Sequence, residues 1–229
     1  MRPHDLVVDI GAGAGAITRA LARVGAEVVA LERDARLVAE LSRLSALERV
    51  TIVEADVLRW SWPTTTFSVV ANLPFVDSGA ILEHLLGDPR TPLRRADVIV
   101  QWELGVKQTA VWPSTLKSTL WRAWYEIALV RRLARTAFAP TPSVDAALLR
   151  VTRRPEPLVP IAEHARYRRF VTDGFAGSGP PGKLSARLSR LDVKRLAPVL
   201  GFDPGARPRD LDARQWAALF AFVRGEDAR

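Results

Sequence analysis

The chain has 229 residues, 48% of them hydrophobic, a net charge of +8, no cysteine, and three scattered histidines, His4, His84 and His164. That length suits one large domain, or one domain with a small companion, and the apolar share is enough for a substantial core. The absence of thiols excludes disulfides and thiol–metal sites, the histidine spacing offers no metal site, and no apolar run approaches the roughly 20 residues of a membrane span.

Residues 6–10 are an apolar run that ends in Gly11, Gly13 and Gly15, and a helical pattern follows on Ile17, Leu21 and Val24. Strand, tight turn and helix are the expected elements. Glycine lets a ligand approach the main chain closely. Amides that open a helix point at whatever sits there. The loop is therefore expected to hold a nucleotide-like ligand, although a motif this short also occurs as a plain turn. Residues 27–31 read as the second strand, closed by Glu32, which lies 21 positions after Gly11. An acid at that point of a dinucleotide fold takes ribose hydroxyls and repels a 2′-phosphate.

Leu37, Val38, Leu41 and Leu44 mark a helix over 34–44. Residues 50–53 form a short third strand, with Asp56 just beyond it. The fourth strand, 67–71, runs into Asn72-Leu73-Pro74-Phe75, and Ile81, Leu82, Leu85 and Leu86 mark the next helix. Residues 98–102 are the fifth strand. Alternating strands and helices imply an α/β fold with a mostly parallel, doubly wound sheet, whose ligands sit beyond the carboxyl ends of the strands. Residues 11–15, Glu32, Asp56 and residues 72–75 all stand at such ends, a coincidence harder to obtain by chance than any one of them.

Residues 103–124 read as mostly helical with a break near Pro113, and 125–133 and 146–152 as two strands expected to be antiparallel at a sheet edge. Pro155, Pro157 and Pro160 suggest a linker. The expected division is a ligand-binding domain over 1–157 and a small helical domain over 158–229. Helices are expected over 163–176, 183–190, 192–199 and 210–224, with a mobile loop at 177–182. Charge is uneven: residues 1–60 carry 8 Lys or Arg against 9 Asp or Glu, residues 61–154 carry 12 against 7, and residues 155–229 carry 13 against 9. A neutral ligand half and a basic remainder fit a polyanion binder. Arg94, Arg95, Lys107, Arg131 and Arg132 are the expected nucleic-acid contacts. An arginine-rich genome would give a similar excess.

Asn72-Leu73-Pro74-Phe75 is the most specific segment. A side-chain amide oxygen and a main-chain carbonyl, held by a rigid proline turn, can accept hydrogen bonds from one amino group, and an adjacent aromatic can stack on a flat base. Such a set holds the exocyclic amine of an adenine with its lone pair directed outward. The competing structural reading is a proline turn with Phe75 in the core.

The whole pattern resembles the ribosomal RNA adenine N6-methyltransferases of the KsgA and Erm type, most of all the Erm macrolide-resistance enzymes of actinomycetes. The resemblance rests on Asp9-Ile10-Gly11-Ala12-Gly13-Ala14-Gly15, Glu32, Asp56, Asn72-Leu73-Pro74-Phe75, Gln101-Trp102-Glu103, Trp124-Tyr125-Glu126 and the stretch from Phe138 to Asp145. It implies a Rossmann-like methyltransferase domain and S-adenosylmethionine as cofactor. Gly11, Gly13 and Gly15 would border the amino-acid and ribose parts of the cofactor. Glu32 would take the ribose hydroxyls and Asp56 the adenine amine, with Asp9, Ala12, Arg33, Val57 and Asn72 among the remaining contacts. Asn72 and Leu73 would hold the target amine on the turn made by Pro74, and Phe75 would stack on the target base. The implied partner is large-subunit ribosomal RNA, and the implied outcome is macrolide, lincosamide and streptogramin resistance. A cytoplasmic monomer without metal or membrane contact is expected. The family carries a segment with a Gln-Asn-Phe-type motif before the first strand, whereas here Met1 lies only a few residues before that strand; either the chain is shortened or this member lacks the element, and cofactor affinity and closure depend on which. The alternatives are a nicotinamide-dependent oxidoreductase, which leaves residues 72–75 unexplained, and a non-catalytic nucleic-acid-binding relative.

Overall fold

The computed structural model describes residues 3–42, 49–176 and 184–227, so Leu44 and the expected loop at 177–182 lie outside the described residues. The chain forms two compact units, Met1–Lys107 with Glu126–Arg153, and Gln108–Tyr125 with Arg154–Arg229. The second unit thus takes in a segment that precedes the proline-rich stretch as well as everything after it.

The first unit contains β1 (Leu6–Ile10), α1 (Ala16–Arg23), β2 (Glu27–Glu32), α2 (Ala35–Leu41), β3 (Val50–Glu54), β4 (Phe67–Asn72), α3 (Ser78–Leu86), β5 (Leu93–Gln101), α4 (Trp102–Thr109), β6 (Tyr125–Leu133) and β7 (Ala146–Arg153). Its seven strands form one sheet in the order β3-β2-β1-β4-β5-β7-β6. β1, β2, β3, β4 and β5 pair in parallel, and β7 runs antiparallel to β5. Val7, Val8 and Ile10 of β1 and Val69 and Ala71 of β4 are buried, as expected of central parallel strands covered on both faces. Chain order reverses at β1: β2 lies on one side of it and β4 on the other. Such a switch point leaves a crevice at the carboxyl ends of the two central strands. The loop after β1 and the segment after β4 both open into that region.

Two details depart from the sequence reading. β5 begins at Leu93 rather than 98 and ends at Gln101, with Trp102 opening α4. The strand is longer because Arg94 and Arg95 are tolerated at its start: Arg94 pairs with Asp5 at 2.7 Å and Arg95 with Asp97 at 2.6 Å. Charges at that end broke the apolar run that sequence reading relies on. The helix expected over 183–190 is also absent from the described part, 184–189. The Ser185 hydroxyl accepts a hydrogen bond from the Arg187 amide at 3.2 Å, a local bond that competes with helix formation. Ser189 then caps the next helix reciprocally with Asp192.

The second unit contains α5 (Leu116–Arg122), α6 (His164–Ala176), α7 (Arg190–Leu200) and α8 (Ala213–Asp227). Its core is aromatic. Tyr167 packs edge-on against Trp124 and Phe220, and Phe170 against Trp216. The Trp124 indole donates to the Val159 carbonyl at 2.8 Å, which gives a buried ring its polar partner.

Candidate functional site

The glycine loop is shaped by three neighbours. The amides of Gly11 and Ala12 both donate to the Leu31 carbonyl, at 2.9 and 3.0 Å, which anchors the turn to β2. Gly11 (φ +67°) and Gly13 (φ +54°) lie in the left-handed region, where only glycine sits without strain. A side chain on Gly11 would meet the Pro74 ring at 3.5 Å and the Asn72 carbonyl at 3.9 Å. The first glycine therefore lets the loop lie directly against the turn that follows β4. A side chain on Gly13 would meet nothing closer than 3.9 Å, so this main chain faces open space.

Glu32 closes β2 and is almost fully buried. Its Oε2 accepts from the Gly13 amide at 2.9 Å, and its Oε1 accepts from the amides of Arg33 and Asp34 at 2.8 and 3.0 Å. A carboxylate has about four acceptor positions, so one remains on Oε2. The acid that was expected to face a ribose diol thus already organises the glycine loop. Asp56 is exposed beyond β3, where its Oδ1 accepts from the Leu58 amide at 3.0 Å and caps a short turn.

Gly11, Gly13, Glu32, Arg33, Asp56 and Val57 all line one cleft of about 270 Å³, together with Pro74. Asp9, Ala12, Gly15 and Asn72 do not line it. Ala12 is buried beside Ala30 and Leu41, and Gly15 opens α1. Asp9 is fully buried under the loop. Its Oδ2 accepts from the Thr18 hydroxyl at 2.7 Å, and its Oδ1 has no partner. Burial, with a smaller push from the Glu32 charge, raises its carboxyl to about 6.

Sequence reasoning missed several walls of the cleft. Leu37 of α2, Ile81 of α3, and Ile10 and Leu31 at the strand ends give it apolar surfaces. Asp77, just before α3, also lines it and pairs with Arg33 at 3.2 Å. Leu37 and Ile81 were read only as helix-face positions, because nothing local says what a helix faces.

Leu73 is buried and its amide donates to the Ile99 carbonyl at 3.0 Å, which fixes the turn to β5. The Pro74 carbonyl accepts from the Ser78 hydroxyl at 2.8 Å and the Asp77 amide at 3.1 Å, tying the turn to the start of α3. On that base Asn72 and Pro74 are exposed and Phe75 is half-buried, so Phe75 is not a core side chain. The Asn72 side chain has no hydrogen-bond partner among the described residues. His84 lies apart from the cleft: its ring nitrogen bonds the Trp60 carbonyl at 2.9 Å. Among the described residues no cluster of three or more His, Asp or Glu could hold a metal.

The expected RNA contacts divide into two groups. Arg94, Arg95 and Arg132 are paired, with Asp5, Asp97 and Asp145 respectively, and Arg132 also lies 4.7 Å over the Trp102 ring. Lys107 and Arg131 are exposed and have no carboxylate partner among the described residues.

Comparison with known proteins completes the picture. The model of a family described as ribosomal RNA adenine dimethylase matches residues 1–221. The mycinamicin-resistance protein MyrB of Micromonospora griseorubida is 36% identical over 220 residues, covering 95% of this chain and 70% of that one. A ribosomal RNA small subunit methyltransferase A from a Synechococcus strain is 34% identical over 222 residues, covering 93% of this chain and 78% of the other. The crystal structure of the 23S rRNA methyltransferase ErmE superposes with a TM-score of 0.85 at 28% identity, covering 98% of this chain and 93% of that one. Nothing among these relatives speaks for a nicotinamide-dependent oxidoreductase. With that family model spanning nearly its whole length, and two such relatives above 30% identity, the chain belongs to the ribosomal RNA adenine dimethylase family and is an rRNA adenine methyltransferase.

Proposed function

We propose that this chain transfers the methyl group of S-adenosylmethionine to the N6 amine of one adenine in large-subunit ribosomal RNA, and thereby confers macrolide, lincosamide and streptogramin resistance. The observation that carries this reading is the convergence of the glycine loop, Glu32, Asp56 and Pro74 on one cleft, with Gly11 packed against the Asn72–Pro74 turn. The donor set suits an adenosine-type cofactor. Ile10, Leu31, Leu37 and Ile81 offer apolar surface to a flat ring, and two carboxylates offer acceptors to its hydroxyls and amine. Glu32 would hold ribose through the acceptor position left on Oε2, Asp56 would take the adenine amine, and Val57 and Arg33 would border them. The open main chain at Gly13 allows close approach. Residues 158–229 are read as the RNA-binding domain.

The bound cofactor supplies an electrophilic sulfonium methyl. The Asn72 side-chain oxygen and the Leu73 carbonyl accept the two N–H bonds of the target amine and turn its lone pair toward that methyl. Phe75 stacks on the base, which has left its helical stack at a cost of a few kcal/mol. The cofactor, when bound, would give up its methyl group to the amine nitrogen, and the surplus amine proton would leave to solvent. Positioning can supply most of the rate, so no general base is required.

Large-subunit RNA is supported by two relatives, one named for mycinamicin resistance and one titled a 23S methyltransferase. The Synechococcus relative favours a second reading, an adenine of the small subunit. Mapping dimethylated adenines in both ribosomal RNAs of cells expressing the chain separates the two, and modification confined to the small subunit overturns the first. For the mechanism, Asn72→Ala should lower single-turnover methylation about a hundredfold while melting temperature and cofactor affinity hold. Phe75→Ala should also weaken capture of the base by about 1–3 kcal/mol, and Phe75→Tyr should retain activity because a flat face is kept. A stable Asn72→Ala chain that methylates at the wild-type rate would defeat the proposed role.

A further inference from the structure

Seven tryptophans occur in the chain, and six of them are buried or half-buried. Trp60, Trp62, Trp124 and Trp216 pack against other rings, Trp121 is buried, and the Trp102 ring lies under the Arg132 guanidinium. Trp112, in the helical unit, stands apart. It is 59% exposed, and among the described residues it is the one exposed aromatic side chain, with no ring or guanidinium over it. Burial of an indole is strongly favourable and normally supplies a partner for its N–H. The fold leaves both unused at Trp112.

The ring is nonetheless held in place. Just beyond it the Ser114 amide and hydroxyl both donate to the Arg209 carbonyl, at 2.8 and 3.1 Å. Thr115 then caps α5 reciprocally with Ser118. Trp112 therefore projects from a short anchored segment, and a large ring on such a base loses little conformational entropy when a flat partner settles on it.

The surroundings select that partner. Val111, 43% exposed, widens the apolar spot by one side chain. Arg207, Arg209 and Arg214 are exposed in the same unit without a carboxylate partner among the described residues, and Arg214 shares a recess with Val111 and Ser114. The two acids of that segment, Asp210 and Asp212, accept the amides of Arg207 and Gln215, each at 2.8 Å. A second copy of the chain would bring the same arginines to the spot, and one tryptophan with one valine offers far too little area for a stable protein interface. An unpaired base fits better: it needs one flat face, and the guanidinium groups suit the phosphates on either side of it.

We propose that Trp112 stacks on an unpaired base of the ribosomal RNA substrate, with Arg209 beside the adjoining phosphate backbone. The inference rests on the reading of the chain as an rRNA adenine methyltransferase, and it gives the helical unit a base contact of its own, distinct from that of Phe75.

The test uses the full chain and ribosomal RNA stripped of protein. Trp112→Ala should bind that RNA about tenfold more weakly, as expected for loss of one base–aromatic stack. Its slope of log affinity against log salt should match the wild type, because a stack releases no counterion, whereas Arg209→Ala should lower the slope by about 1. Trp112→Tyr keeps a flat face and should recover most of the affinity. Trp112→Leu keeps apolar bulk alone and should not. In methylation assays Trp112→Ala should raise KM for RNA and leave kcat, the melting temperature and S-adenosylmethionine affinity as in the wild type. A Trp112→Ala or Trp112→Leu chain that binds like the wild type overturns the proposal, as does a Trp112→Ala chain that melts well below it. A wild-type dimer in sedimentation that Trp112→Ala dissociates would assign the ring to a second copy instead. A wild type without affinity for ribosomal RNA would defeat the underlying reading together with this one, whereas wild-type binding that Trp112→Ala leaves unchanged defeats the stack alone.

Discussion

Asp9 places a carboxyl in the core directly beneath the glycine loop, with one oxygen bonded to Thr18 and the other to nothing. Its folded value of about 6 exceeds the ordinary 3.8, so the folded chain holds the proton more tightly than the unfolded chain does. That contribution to stability is full below the unfolded value and is lost as pH rises through the folded one. By neutral pH the buried charge costs about 3 kcal/mol. Asp9→Asn cannot titrate. Its new amide lacks a partner, which costs about 1–3 kcal/mol at every pH, so the absolute stabilities can be close at neutrality. The slope is the decisive readout. The unfolding free energy of Asp9→Asn relative to wild type should rise by about 3 kcal/mol between roughly pH 4 and 7 in urea titrations. Parallel curves would show that Asp9 is not the titrating group. Retaining such a group also argues that the loop above it is held by electrostatics as well as packing, since the Glu32 carboxylate that binds the Gly13 amide is one cause of the Asp9 shift.

Among the elements, α4 shows how closely one helix can rest on the sheet. A Cβ added to Gly105 would collide with the Cβ of Ala147 on β7, and would also reach Leu149 at 3.6 Å and Val100 at 3.7 Å. Two effects oppose each other in Gly105→Ala. Alanine gains about 1 kcal/mol of helix propensity over glycine. Overpacking against strands costs about 1–3 kcal/mol. The collision is with a short, rigid side chain held within the sheet between β5 and β6, so overpacking wins. Gly105→Ala should lower the urea midpoint, and Gly105→Ala with Ala147→Gly should recover part of it. A Gly105→Ala chain more stable than wild type would mean that α4 does not sit this close to β7. The turn after β4 is fixed in the same manner, by the Leu73 amide on Ile99 and by Ser78 and Asp77 on the Pro74 carbonyl. Asn72 is thereby held at a rigid base although it is itself exposed.

Across the whole molecule the excess positive charge lies outside residues 1–60. The structure grades the individual cations. Arg94, Arg95 and Arg132 sit beside carboxylates, whereas Lys107 and Arg131 are exposed without one among the described residues. RNA binding should fall steeply with salt, because each phosphate contact releases a counterion. Lys107→Ala and Arg131→Ala should each reduce the slope of log affinity against log salt by about 1. Arg94→Ala and Arg95→Ala should change it little, because removing one of these also releases a carboxylate. Equal effects from all four variants would place the paired arginines on the RNA as well, and a flat salt dependence would leave the charge a matter of composition.

The sequence by itself determined the alternation of strands and helices, the sheet type and the strand ends that carry chemistry. These follow from local properties: apolar runs for strands buried on both faces, helical spacing for one-sided burial, and glycine or proline where the backbone turns. It stopped short where charge interrupted an apolar run, as at Arg94 and Arg95, and where serine side chains replaced helical bonds, as at Ser185. Only the tertiary structure decided that Gly11 packs against Pro74, that Leu37, Asp77 and Ile81 face the same cleft as Glu32, and that Asp9 and Ala12 are buried and do not line that cleft. It alone revealed that Ser114 is pinned to Arg209, 95 positions away in the chain. Such facts depend on which strand lies beside which and on how near a helix approaches a sheet. Those distances are set by close packing between segments remote in sequence, and no local periodicity records them.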